Sequence, residues 1–200
     1  MNASAFGFAR QFSSNANDLA DLLRHTVVEV RSGDTGSGTG IVWGGAGLVV
    51  TNAHCAPQNV PLEVSEPMGR WRGARVIAYH PRHDLALLSA PSARGPLLEL
   101  RDADSLRAGE LVFAHGHPLG VRDALAMGVV HAITRDSHTN QPRWVVADVR
   151  LAPGNSGGPL VDVDGRLVGI NSMVVNGLGV AVPADLVRAF VERALAQRAA

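Results

Sequence analysis

"APGNSGGPLVDVDGRLVGIN", residues 152–171, sets glycines and prolines around a single serine and then runs on as strand sequence. Gly and Pro at this density mark a tight turn, so Ser156 reads either as turn punctuation or as a nucleophile held on a tight loop. The second reading requires a base within hydrogen-bond reach and a carboxylate to orient that base. The rest of the chain has to supply both.

The chain has 200 residues, enough for one larger all-β domain or two very small ones. Its apolar share of 46% suits a real core, and Lys plus Arg balance Asp plus Glu at 18 each. That balance leaves no electrostatic footprint for nucleic acid or an anionic membrane. A single cysteine, Cys55, excludes an intramolecular disulfide. No apolar run approaches the ~18 residues of a membrane span, so no membrane insertion is expected. The start, "MNASAFGFARQFSSNANDLADLL", has neither a basic opening nor an apolar block, so no signal peptide is read. As written, this predicts a cytoplasmic protein, or a periplasmic or secreted one if the start is truncated.

Short β-branched or alternating runs separated by Gly, Pro and Asp fill the chain: 26–32, 39–43, 47–53, 72–80, 84–90, 109–116, 124–134, 143–150, 158–163, 166–174 and 179–183. Strands at this spacing predict an antiparallel barrel or sandwich rather than a βαβ sheet. Leu19, Leu22 and Leu23 predict a short helix over 17–25, after a tail of residues 1–16. A second helix is predicted over 184–198, with Leu186, Val187, Phe190, Val191, Ala194 and Leu195 as one apolar stripe. Nothing marks a second domain, so residues 17–200 are read as one.

Two positions can partner Ser156. His54, in "GLVVTNAHCA", ends an apolar strand where a turn of small residues can project it into a cleft. Asp84, in "HPRHDLALLSA", sits at the mouth of another strand, where a carboxylate needs partners because an unpaired buried charge is costly. Each also has a plain structural reading, His54 as a backbone-bonded strand end and Asp84 as a strand-start cap.

Together, "GSGTGIVW…GLVVTNAHCA", "DLALL", "LRAGELVFAHGHPLG", "GVVHAITR", "PGNSGGPLVDVDGRLVGINSM" and "GLGVAVPADLV" resemble, in the family's order, the trypsin-fold serine proteases and above all their HtrA/Deg-like bacterial branch. The resemblance implies an all-β fold of two six-stranded antiparallel barrels, and a serine endopeptidase acting in protein quality control or regulatory proteolysis. It makes His54 the general base, Asp84 its orienting carboxylate and Ser156 the nucleophile of an acyl-enzyme. The backbone of Gly154, Asn155 and Ser156 would form the oxyanion hole. No cofactor and no metal are implied, and His115, His117 and His131 are read as structural. The substrates would be proteins or peptides.

Asn155 stands where digestive relatives carry the Asp that pairs with a new N-terminus, so no zymogen cleavage is expected. The chain stops after its last helix, with no PDZ domain expected within it. Cys55 is read as a buried, inert thiol. The substrate pocket is expected around Arg150, Leu151, Asn171, Ser172, Met173, Gly179, Val180 and Ala181. With no acid at its floor it suits a small or medium aliphatic side chain. Arg150 turns either to solvent or inward, where it would select an acidic residue. Phe6, Phe8 and Phe12 crowd the first residues, and the resemblance makes that segment a homotrimer contact. The rival reading is a non-catalytic or latent peptide-binding, chaperone-like module of the same fold.

Overall fold

A computed structural model describes residues 3–33, 36–45, 47–65 and 70–199. After a long first helix, α1 (Ala3–Arg24), come β1 (Val27–Ser32), β2 (Gly36–Val42), β3 (Leu48–Thr51), β4 (Leu62–Ser65), β5 (Trp71–His80) and β6 (Leu85–Ser89). These close an antiparallel barrel in the order β1-β2-β3-β6-β5-β4. Then β7 (Leu111–Gly116), β8 (Ala124–Arg135), β9 (Pro142–Asp148), β10 (Pro159–Asp162), β11 (Leu167–Val175) and β12 (Leu178–Pro183) close a second, β10-β11-β12-β9-β8-β7. The chain ends in α2 (Ala184–Ala199). Among the described residues, no helix is long and apolar enough to cross a membrane.

Strand periodicity explains how two barrels become one body. Successive side chains point to opposite faces, so neighbours in an unbroken apolar run serve different cores. Val42, Val49 and Leu88 fill the first barrel with Val28, Val30 and Val64. Their neighbours Ile41, Val50 and Leu87 point outward and join Phe113, Val161, Leu167, Ile170 and Val182 of the second barrel in a seam. Val112, Ala114, Val130, Val145, Leu160 and Ala181 fill the second barrel. Strands such as "LALL" are therefore apolar on both faces.

The departures from expectation are local. β4 was not expected, because "LEVS" follows Pro61 and offers only Leu62 and Val64 as inward residues. α1 begins at Ala3 rather than residue 17, so most of the expected tail is helix. Phe12, Ala16, Leu19 and Leu23 recur at intervals of four, three and four, extending the leucine stripe backwards onto the seam. Phe12 is thus half-buried against this chain's own core, while the side chains of Phe6 and Phe8 lie outside the described residues. In α2, Val187, Phe190, Val191 and Ala194 are buried as expected, but Leu195 is 40% exposed.

One buried group sets an acid limit. His115 on β7 has no exposed surface, and neither ring nitrogen finds a partner among the described residues. Burial disfavours the imidazolium and pushes its pKa down to about 4. Between the ordinary histidine value and about 4, the unfolded chain binds a proton here that the native state does not. Stability from this group is therefore full at neutral pH and falls as pH drops through that window, by about 3 kcal/mol. His115→Leu should flatten the fall of the thermal midpoint between pH 6.5 and 4.5. Parallel pH slopes in the two proteins would refute the assignment.

Candidate active site

β3 and β6 are neighbours, with Thr51 opposite Ala86. This brings the turn after β3 beside the residues that open β6. Past Thr51 the chain turns through Asn52–Ala56, with the Cys55 and Ala56 N–H groups donating to Asn52 and Ala53 carbonyls, and His54 projects from that turn half-exposed. Asp84 ends the 3-10 turn Pro81–His83 in the left-handed region, at φ 52°. The amide of buried Asn52 donates to the Asp84 carbonyl at 2.9 Å and holds that conformation.

The Asp84 carboxylate then faces His54 across the turn. His54 Nδ1 lies 2.9 and 2.8 Å from Oδ1 and Oδ2, and the His54 backbone N–H donates to Oδ1 at 3.1 Å. The Ser172 hydroxyl, arriving from the second barrel, donates to Oδ2 at 2.6 Å. Burial alone would raise the Asp84 pKa, but these hydrogen bonds outweigh it and hold the carboxyl below its ordinary range. In return, the carboxylate holds the His54 pKa well above the ordinary histidine value. Because Nδ1 is bound to Asp84, Nε2 is the nitrogen left for a reacting partner.

The loop 152–158 carries Ser156. Nearly all of its backbone carbonyls accept a hydrogen bond, and half of its N–H groups donate one. The Asn155, Gly157 and Gly158 N–H groups donate to Ala152, Asn171 and Asn155 carbonyls at 2.8–3.0 Å. The Pro153 carbonyl accepts from Leu119 N–H at 2.9 Å. Among the described residues, the N–H groups of Ala152, Gly154 and Ser156 are the ones in this run that find no acceptor. Gly154 is buried, and an unmet buried N–H is costly. A trans peptide sets its N–H opposite its C=O, so anchoring the Pro153 carbonyl on Leu119 aims the Gly154 N–H the other way. Only glycine fits here: Gly154 has φ +104°, and an added Cβ would stand 2.4 Å from the His117 carbonyl oxygen.

Ser156 Oγ does not bond to His54. It donates instead to the Ser172 carbonyl at 3.0 Å. Ser172 therefore touches both halves of the site, Ser156 by its carbonyl and Asp84 by its hydroxyl. No sequence signal could have exposed these contacts, which join positions 16 and 88 residues apart.

Beside Ser156 lies a pocket of about 350 Å³, lined by Leu151, Ala152, Pro153, Asn155, Ser156 and residues 171–174. No charged side chain faces it. Leu151, Asn171, Ser172 and Met173 thus line it as expected from sequence, whereas Arg150 is exposed and Ala181 is buried within the second barrel. Gly179 packs on the Leu151 side chain from behind. Val180 lines a separate apolar groove of about 290 Å³ with Trp144, Met173, Val175 and Leu178. β11 pairs with β12 as far as Val175 but with β10 only from Leu167 to Ile170, so one edge of residues 172–175 is left without a strand partner among the described residues.

The remaining candidates occupy structural places. Cys55 is buried with Sγ 3.7 Å from the Ser156 carbonyl oxygen. His117 Nδ1 accepts from the Asp123 N–H at 3.2 Å and its ring meets His115 edge-on. Among the described residues, no three His, Cys, Asp or Glu side chains group as metal ligands.

The tightness of the loop is testable. Gly157 has φ +85°, and a Cβ would stand 1.9 Å from the Thr39 carbonyl oxygen, whereas Gly73 on β5 faces open space. Gly157→Ala should destabilise by more than about 3 kcal/mol in denaturant titration, and Gly73→Ala by less than about 1. Equal losses would contradict this packing.

Residues 38–170 match the trypsin-like peptidase domain family. The mitochondrial serine protease HTRA2 of Drosophila pseudoobscura pseudoobscura is 35% identical over 170 residues, covering 81% of this chain and 40% of its own. A probable periplasmic serine endoprotease, DegP-like, of Chlamydia pneumoniae is 33% identical over 144 residues, covering 71% of this chain and 30% of its own. The chain thus spans less than half the length of these relatives. Among solved structures, an HtrA-type protease AlgW with tripeptide superposes with a TM-score of 0.79 at 27% identity, covering 89% of this chain and 62% of that one. Twelve strands in two closed barrels agree with these matches, and the chain, similar to HtrA and DegP-like proteases, belongs to the trypsin-like peptidase family.

Proposed function

We propose that the chain is a serine endopeptidase domain working through His54, Asp84 and Ser156. The observation that carries this is the pair of unmet N–H groups, Gly154 and Ser156, on a loop whose Asn155, Gly157 and Gly158 N–H groups are all bonded. They form an oxyanion hole in which a tetrahedral intermediate finds the acceptor those donors lack. A rotation about χ1 moves the Ser156 hydroxyl from the Ser172 carbonyl to His54 Nε2. His54 takes the proton as Ser156 Oγ attacks the scissile carbonyl and returns it to the leaving amine, leaving an acyl-enzyme. Water then repeats the sequence and frees the acid.

The unpaired edge of β11 supports a peptide substrate bound as an added strand. Its backbone N–H competes for the Ser172 carbonyl and so releases the nucleophile. The residue before the cut enters the pocket beside Leu151 and Met173, whose apolar lining favours a small or medium aliphatic side chain. The groove at Trp144 and Val175 takes an apolar residue upstream. The resting Ser156–Ser172 bond favours a second reading, a latent state of the same enzyme that substrate or a partner must unlock. A role in quality control or regulatory proteolysis, and a homotrimer through the N-terminal segment, are proposed on the family resemblance alone. Light scattering should give three times the 21.0 kDa chain mass, and a monomer overturns the trimer.

Incubation with a fluorophosphonate probe at pH 8 should label the wild type and not Ser156→Ala; no Ser156-dependent label defeats the peptidase reading. His54 serves as base only when neutral, and its pKa is raised by Asp84. kcat/KM should therefore rise with pH through a midpoint above 6.5. Asp84→Asn should move that midpoint down and cut kcat by roughly 10³–10⁴-fold. A flat profile from pH 5 to 9 would remove His54 from the role of base.

A further inference from the structure

Resting on the peptidase reading, we infer that Thr39, on β2 of the first barrel, is a positioning residue that aims the oxyanion donors of the second. Thr39 has no exposed surface. Its hydroxyl donates to the Gly154 carbonyl at 2.7 Å and accepts from the His117 N–H at 3.1 Å. Its backbone N–H donates to the Ser156 carbonyl at 2.8 Å, and its own carbonyl accepts from the Thr51 hydroxyl at 2.7 Å. One residue thus holds both carbonyls that flank the donor peptides.

The loop is a chain of rigid, planar peptides. The peptide joining Gly154 to Asn155 is fixed by the Thr39 hydroxyl on its oxygen and by Ala152 on its N–H. The peptide joining Ser156 to Gly157 is fixed by the Thr39 N–H on its oxygen and by Asn171 on its N–H. Between and before them lie the two peptides that carry the unmet N–H groups. Those N–H groups find no acceptor; the carbonyls of their own peptides are held by Leu119 and Gly158, and the clamped peptides beside them fix the rest of their orientation. The hydroxyl uses both of its roles at once, its one hydrogen going to the Gly154 carbonyl and a lone pair accepting from the His117 N–H. That second bond ties the clamp to the segment 117–119, whose Leu119 N–H fixes the Pro153 carbonyl. Leu119 itself sits in the left-handed region at φ 53° while 76% exposed, a strained placement for a branched apolar residue. Removing the hydroxyl leaves a buried carbonyl and a buried N–H unmet together, and the nearest relief is rotation of the Gly154 peptide.

Thr39→Val removes the hydroxyl at nearly constant shape, and Thr39→Ser keeps it. kcat, KM and the inhibition constant of a peptide aldehyde should be measured on an aliphatic peptide substrate, ten degrees below each thermal midpoint. Thr39→Val should lower kcat by about 10–100-fold with KM within about twofold, because the donors act in the transition state. Aldehyde binding, which forms the same tetrahedral oxyanion, should weaken by a similar factor. Thr39→Ser should keep kcat within about threefold of wild type, even if it melts earlier. If Thr39→Val does not fold, Thr39→Ala against Thr39→Ser gives the same comparison. Unchanged kcat and aldehyde affinity in the folded hydroxyl-free variant overturn the inference, and so do equal losses with and without the hydroxyl. A wild type without Ser156-dependent labelling defeats the peptidase reading instead. The clamp is then read from amide hydrogen exchange at residues 154–158, expected to quicken in Thr39→Val and not in Thr39→Ser; equal exchange overturns it.

Discussion

The apolar seam between the barrels is the constraint on which the candidate site depends. His54 and Asp84 belong to the first barrel, Ser156 and Ser172 to the second, and no covalent tie such as a disulfide joins the two halves of the site. Their relative position is set by Ile41, Val50 and Leu87 against Phe113, Val161 and Ile170. Burial of such side chains contributes roughly 1.5–3 kcal/mol each, and close packing leaves little room to slide. Polar bonds then refine what the seam fixes coarsely. The Ser172 hydroxyl reaches Asp84, and the Thr39 N–H reaches the Ser156 carbonyl, each crossing from one barrel to the other.

Electrostatics at the site follow from that crossing. Asp84 is enclosed enough for burial to oppose its charge, yet three donors converge on its two oxygens. Hydrogen bonds to a charged group are about twice as strong as neutral ones, so the carboxylate stays ionised. A stable carboxylate is what makes the neighbouring imidazole a stronger base. The consequence is that His54 holds its own proton more tightly than an ordinary histidine.

The sequence carried much of this, for physical reasons that differ from place to place. Period-two alternation revealed eleven strands, because Val, Ile and Leu at those positions must be buried on one face or both. It failed at Leu62–Ser65, where two inward residues are too few to make a pattern, and at residues 3–16, where alanine and serine dilute the helical stripe of Phe12, Ala16 and Leu19. The flanks of His54, Asp84 and Ser156 single them out as candidates, and the structure brings the first two into contact. The pocket was half legible: Leu151 and residues 171–173 line it, but Arg150 faces solvent and residues 179–181 stand behind or beyond it. Thr39 and Ser172 had no legible role in positioning, because a hydroxyl that spans 115 or 88 positions leaves no local trace.

The resting position of the Ser156 hydroxyl is consistent with a working site once its energy is considered. The hydroxyl exchanges one neutral acceptor, the Ser172 carbonyl, for another, the His54 ring. A net intramolecular hydrogen bond contributes only about 0.5–1.5 kcal/mol, and rotation of one side chain takes picoseconds to nanoseconds when room allows. The exchange is therefore a small toll on a reaction whose barrier is lowered by many times that amount. What would be expensive is turning over the Gly154 peptide. That movement breaks the bond of Pro153 to Leu119 and disturbs the adjoining bond of Gly154 to Thr39, two buried residues, where an unmet carbonyl costs about 1–3 kcal/mol. The candidate site is thus soft at the Ser156 hydroxyl and stiff at the Gly154 and Ser156 N–H groups. A stiff hole is the more useful of the two, since electrostatic stabilisation depends on dipoles that need no reorganisation when charge develops.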